Sequence, residues 1–227
     1  MKNHLFILLL LSAALFGCDS SSNPSNSKDV LMPLFPGREW CYDVEGYAPI
    51  TADSGVWNYE HCDSIESVHD INGEHWYSLA DKLNIFSHYM TNRADGLWSG
   101  SSGGIVSGVR MKLLFPFPAE IGTSLPPDTN DHRMVDSSNG WYEYYDTVAG
   151  AVTLVEKDVI LKVPAGWFAC YHYQKEMRNI RTGVLYSRED NYYAVNIGLI
   201  QSEIYRTDSV GTPISTHLAK LKRMNWR

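Results

Sequence analysis

Cys170 and His172 stand two residues apart in "VPAGWFACYHY" (163–173), a stretch rich in strand formers. Side chains two apart on a strand share a face, so a thiol and an imidazole would point the same way. A thiolate nucleophile needs a lowered pKa and a base within hydrogen-bond reach, with a third group orienting that base. Same-face positions two apart stand about 6–7 Å apart along the backbone, long for a direct contact. No signature of a cysteine hydrolase surrounds the pair. The stretch therefore reads as a turn and a strand, with Cys170 a small buried hydrophobe.

The eight histidines raise the question of metal. His61, Cys62 and Asp63 are consecutive, and His69, His75 and His88 fall on the strands expected next. Consecutive strand residues face opposite sides, so His61 and Cys62 cannot share an ion without a bulge. No spacing matches a zinc knuckle or a His-Glu-x2-His helix. The expectation is no metal and no cofactor. Glu143, Asp146, Glu189 and Asp190 could supply the paired carboxylates of a glycosidase, but nothing marks two of them as facing across a cleft. "SRED" (187–190) reads instead as a solvated hairpin face. No catalytic residue is assigned.

The aromatic residues are the more informative excess: seven Trp and 14 Tyr. Trp57, Tyr59, Trp76, Trp141, Tyr142 and Tyr144 are the candidate ligand-binding rings, with Tyr77 and Tyr145 beside them. In "WYEYYD", Trp141 and Tyr145 share one face and Tyr142 and Tyr144 the other. One face must be core. If the other is wet, it forms a platform for sugars, peptides or lipid tails. The competing reading is that rings fill both sides of a curved sheet, because aromatics are good strand formers whatever the function.

The elements that must position these groups are strands. "EWCYDVEGY" (39–47), "VWNYEHCDSIESV" (56–68), "HWYSLA" (75–80) and "LNIFSHYMT" (83–91) alternate with turn chemistry such as "DING" and "RADG". "SGSSGG" (99–104) reads as a loop before a strand at 105–115, and five or more hairpins follow from residue 141 onward. The expected fold class is all-β: a single antiparallel meander forming a curved sheet or a partly closed barrel or sandwich. Cys41 and Cys62 sit nearly symmetrically about the loop near 46–55, so the pair is a candidate disulfide if the flanking strands form a hairpin. A weak internal echo joins Pro33, Gly37 and Trp40 to Pro118, Gly122 and Leu125, each a rigid lead-in and a Gly turn before a strand.

The chain opens with Lys2 and the apolar run "LFILLLLSAALF", reaching Gly17 and Cys18. This is the pattern of an export signal, too short for a permanent span. "LFGC" resembles the lipobox of bacterial lipoproteins, which implies lipid on Cys18. Residues 1–17 are then the signal peptide, 18–30 the lipidated N-terminus and Ser/Asn-rich tether, and 31–227 one β-domain. The net charge of −7, with no basic run, excludes a nucleic-acid backbone as partner.

"MPLFPGREWCY", "LLFPFPAEIGTSL", "LKVPAGWFACYHYQ" and "YYAVNIGLIQSEIY" occur in that order. Together they resemble a family of secreted, often lipid-anchored bacterial proteins labelled TapB-like, over about residues 31–206. The resemblance implies an antiparallel β-fold, a curved sheet like that of lipid-handling periplasmic proteins, and no established catalytic residues. The expected protein is a non-enzymatic cell-envelope lipoprotein, with the outer membrane favoured over the inner. It would meet the membrane through its N-terminal lipid and bind an apolar or glycan ligand, or a protein partner, in its concavity. A hydrolase of extracellular polysaccharide or peptide, and a structural component of the cell surface, are the alternatives.

Overall fold

A computed structural model describes residues 29–48, 55–81, 88–100, 111–136, 142–208 and 211–225. The expected signal peptide, the tether up to residue 28 and the lipid on Cys18 lie outside these residues, as does Trp141; the side chains of His88, Tyr142, Glu143, Tyr144, Tyr145 and Asp146 are likewise not described. The described chain is all strand and turn. In order it forms β1 (Glu39–Ala48), β2 (Gly55–Ile71), β3 (Glu74–Asp81), β4 (His88–Arg93), β5 (Gly96–Gly100), β6 (Met111–Pro116) and β7 (Asp128–Asp136). It continues with β8 (Tyr142–Gly150), β9 (Val152–Val163), β10 (Gly166–Asn179), β11 (Leu185–Ala194), β12 (Gly198–Thr207) and β13 (Pro213–Asn225).

All thirteen belong to one antiparallel sheet, which is not closed into a barrel. The spatial order is β6-β5-β4-β3-β2-β1-β13-β12-β11-β10-β8-β7, with β9 also on β10. The chain therefore runs outward from the centre as one meander, β1 to β6. It then crosses to the far edge and runs back inward as a second, β7 to β13, whose last strand pairs with β1. Two strands escape a reading of apolar alternation. β5, "GLWSG", hides behind its glycines, and β7, "DTNDHRMVD", is almost wholly polar.

The echo around Gly37 and Gly122 has a structural counterpart. Both glycines have positive φ, 87° and 89°, which L side chains adopt only with strain. Gly37 N donates to Ile65 O while Ile65 N donates to Arg38 O; Gly122 N donates to Leu154 O while Leu154 N donates to Thr123 O. In each half a short lead-in segment is zipped onto a buried strand residue, Ile65 of β2 or Leu154 of β9.

Curvature brings β6 over β10. Tyr173 Oη donates to Pro116 O at 2.7 Å, and the Phe115 ring packs against Tyr173 and Tyr193 at 5.1 and 4.7 Å. Lys112 of β6 also pairs with Asp128 of β7. The core inside this curl joins Trp40, Tyr42, Ile65, Leu97, Leu154, Tyr173, Ile200 and Leu221 with Leu31, Met32 and Leu34 of the incoming chain. Trp40 is fully buried, yet its indole N–H is satisfied by Ile197 O at 2.7 Å, as a buried donor requires.

Candidate ligand-binding face

Antiparallel register places Trp57 opposite Gly46 and Tyr59 opposite Val44. Gly46 lies opposite His217, and His217 opposite Ile204, so the row Trp57, Gly46, His217, Ile204 crosses four strands on one face. The absence of a side chain at Gly46 is what lets the indole settle onto the sheet. A Cβ there would stand 2.1 Å from a Trp57 ring carbon. Trp57 and Tyr59 remain 36% and 41% exposed, while Val44 beneath them is buried. Burial above all, then the nearby Arg206 and His61, pushes the His217 imidazole below its ordinary value. Its Nδ1 is buried with no hydrogen-bond partner among the described residues. Two partly exposed rings thus lie beside an unused polar atom at the open end of the concave face.

Trp76 and Tyr77 are placed otherwise, and of Tyr142 and Tyr144 only the backbone is described. Trp76 is buried and structural: its Nε1 donates to Glu74 Oε2, and Arg93 holds the same carboxylate with two bonds of 2.6 and 2.7 Å while lying over Trp76 and Trp98. Tyr77 packs partly buried against the core. Tyr142 and Tyr144 lie in β8, opposite Asp136 and Met134.

Cys170 and His172 have different surroundings, at a place where the β9–β10 register slips twice between Cys170 and Tyr173, each time by an extra β9 residue. Cys170 joins the core with Tyr173, and burial pushes its thiol up to about 12, the reverse of what a nucleophile needs. His172 instead hydrogen-bonds Asp190 at 2.7 Å and stacks on Tyr192 at 4.3 Å between ring centres. Asp190 also accepts from Gln174 and Arg188. Burial alone would raise the Asp190 carboxyl; the bonds from Arg188, Gln174 and His172 outweigh it and hold the group below the usual carboxylate range. Asp190 is 6% exposed, so this residue of "SRED" is not the solvated group its surroundings suggest. Its neighbour Glu189 lines a small cleft with Lys112, Phe115, Tyr173 and Lys175. Glu189 and Asp190, consecutive on a strand, take opposite faces and cannot act as an acid and base on one bond.

Cys41 and Cys62 stand directly opposite in the β1–β2 register, with Cα atoms 4.0 Å apart, and form a disulfide. Glu39 completes a group of three metal-ligating atom types with them, but the disulfide engages both sulfurs. Arg223 bridges Glu39 and Glu60 above it, and Lys222 bridges Glu60 and Asp43. The candidate histidines separate: His61 bonds Asp63, His69 bonds Ser67 and meets Tyr89 edge-on, and His75 faces Asp70 across the strands.

No family model matches the chain, and no curated protein matches it. Two solved structures are similar, each at 14% identity. One, from Parabacteroides distasonis, is described as a lipoprotein; the match covers 86% of this chain and 98% of that one, with a TM-score of 0.42. The other, from Bacteroides fragilis, is described as an exported protein with a YmcC-like fold; the match covers 88% of this chain and all of that one, with a TM-score of 0.39.

Proposed function

We propose that this protein is a lipid-anchored component of the bacterial cell envelope that binds an extended ligand on the open end of its concave face. The exposed pair Trp57 and Tyr59, seated over Gly46 and Val44, carries the reading. Aromatic faces beside a polar rim suit a ligand with flat apolar faces and hydroxyl edges, which is the chemistry of a glycan strand. Support for the location comes from the leader ending in Gly17 and Cys18 and from the Cys41–Cys62 disulfide, a bond at home in an oxidising compartment. The TapB-like resemblance of the four quoted segments points the same way.

Native mass spectrometry of the protein released gently from its own envelope tests the binding. A co-purifying glycan mass that is lost in Trp57→Ala and retained in Trp167→Phe is the expected outcome. A wild-type protein that carries no adduct and shows no fluorescence change with cell-wall oligosaccharides overturns it.

A further inference from the structure

The β9–β10 hairpin is held to the core by one face only. Leu161, Ala165 and Phe168 pack inward, and Ala165 N donates to Leu221 O at 3.1 Å. The opposite face is left largely uncovered by the described residues. Trp167 is 67% exposed and Ile160 62%. They share this face because Trp167 stands opposite Lys162 and Ala169 opposite Ile160, and the Lys162 ammonium lies 5.4 Å from the Trp167 ring centre. Pro164 and Ala169 are exposed alongside. The result is an apolar knuckle bearing the Lys162 cation, ending a long hairpin.

The position of this knuckle relative to the chain's start decides what it fits. Tyr171 pairs with Tyr193, so the turns 164–165 and 195–197 lie at the same end of the sheet. That end also receives the incoming chain: Asn196 N donates to Val30 O, Val30 N to Asn196 Oδ1, and Asn196 Nδ2 to Asp29 Oδ1. From Cys18 to Asp29 the chain can span at most about 40 Å when fully extended. A lipid on Cys18 therefore keeps the point where the chain enters the sheet within that reach of the bilayer.

We infer that the β9–β10 tip, through Trp167, Ile160 and Lys162, seats in the membrane–water interface and fixes the domain's orientation on the bilayer. This rests on the lipid-anchor reading above. Indole and lysine are the side chains favoured at that depth, the ring among the headgroups and the ammonium toward phosphate. A second copy of the chain is a poorer occupant. A patch of about five side chains falls well short of the roughly 20–30 residues a side that a stable interface uses.

The test uses the full protein, purified in detergent and reconstituted into vesicles of phosphatidylcholine and phosphatidylglycerol, with and without brominated acyl chains that quench tryptophan on contact. Flotation and the mass of the Cys18 peptide are read in parallel, and Cys41–Cys62 bonding on a non-reducing gel verifies the fold of each variant. The expected result is that Trp167→Phe loses most of the bromine quenching and Ile160→Ser weakens it. Flotation with equal quenching in wild type and Trp167→Phe overturns the tip and leaves the anchor standing. A Cys18 peptide without lipid, together with Trp167-dependent quenching, supports the tip and overturns the anchor. Neither flotation nor quenching overturns both, and a dimer lost in Trp167→Phe with no quenching assigns the knuckle to a second copy and overturns the membrane seat.

Discussion

Tyr59 and Tyr173 lie on one cross-strand row of the concave face, running through Val44, Ala219, Ser202 and Asn191. One is 41% exposed and the other fully buried. Strand position does not separate them; the roof does. β6 and the segment after it curl over β10, placing Phe115 and Pro116 on Tyr173. Over β2 near Tyr59 the described residues place no comparable roof. That side is secured by the Cys41–Cys62 disulfide on the opposite face and by its lattice of Arg223, Lys222, Glu39, Glu60 and Asp43. One side of the sheet is held by apolar cover and the other by a covalent staple, and among the described residues Trp57 and Tyr59 there stay partly exposed.

If cover is what distinguishes the two tyrosines, their truncations must differ. Tyr173→Ala should cost about 4 kcal/mol in urea unfolding, the range for removing a large ring from a packed core. Tyr59→Ala should cost less than about 1 kcal/mol. Tyr173→Phe isolates the hydroxyl: it leaves the Pro116 carbonyl unpaired and should cost about 1–2 kcal/mol. Equal losses at positions 59 and 173 would mean that Tyr59 is covered after all and that the open end is not a binding face.

The staple predicts the next largest effect. Cys41 and Cys62 close a loop with a sequence separation of 21, and on the chain-entropy account replacing both by Ala should cost about 3 kcal/mol. Reductant should lower the wild-type midpoint and leave the double variant unmoved. Native Cys170 should resist thiol reagents until the protein unfolds, because it is buried and its thiol is pushed up to about 12. Rapid labelling of Cys170 in the folded protein would break the contrast between a cysteine that joins strands and one that fills space.

The contrast also marks what the sequence could disclose. Alternation and turn residues were enough for the all-β class and for most strands, because each signal is local. The disulfide pair was legible for the same reason: Cys41 and Cys62 flank one hairpin, and counting from its loop sets them nearly opposite. What was not legible depends on register and on distant cover. Extra β9 residues break the register beside Cys170 and His172, which end in different surroundings, and nothing in "FACYHYQ" announces them. Trp57 and Trp76 look alike in sequence, yet Trp76 is closed over by Arg93 from the end of the next strand, β4. The join of β13 to β1, which unites the two meanders, is a contact between the ends of the domain that no window of sequence contains.

Asp190 offers the finest test, since it sits behind the roofed side on β11, where the sheet's outer face is polar. Its carboxyl is nearly buried but held ionised by Arg188, Gln174 and His172. Because its folded pKa lies below the ordinary 3.8, the unfolded chain takes up the proton first as pH falls. The stabilisation is then fully present above about pH 4 and is lost as pH drops through the depressed folded value. Asp190→Asn removes the charge that Arg188 and its neighbours favour and should cost about 2 kcal/mol near pH 7, discounted because Arg188 is half exposed to solvent. The gap between wild type and variant should narrow below pH 4, read as converging thermal midpoints. A gap that stays constant down to pH 2 would assign the cost to the shape of the amide rather than to charge, and the outer face would then be a packing surface like the one it backs.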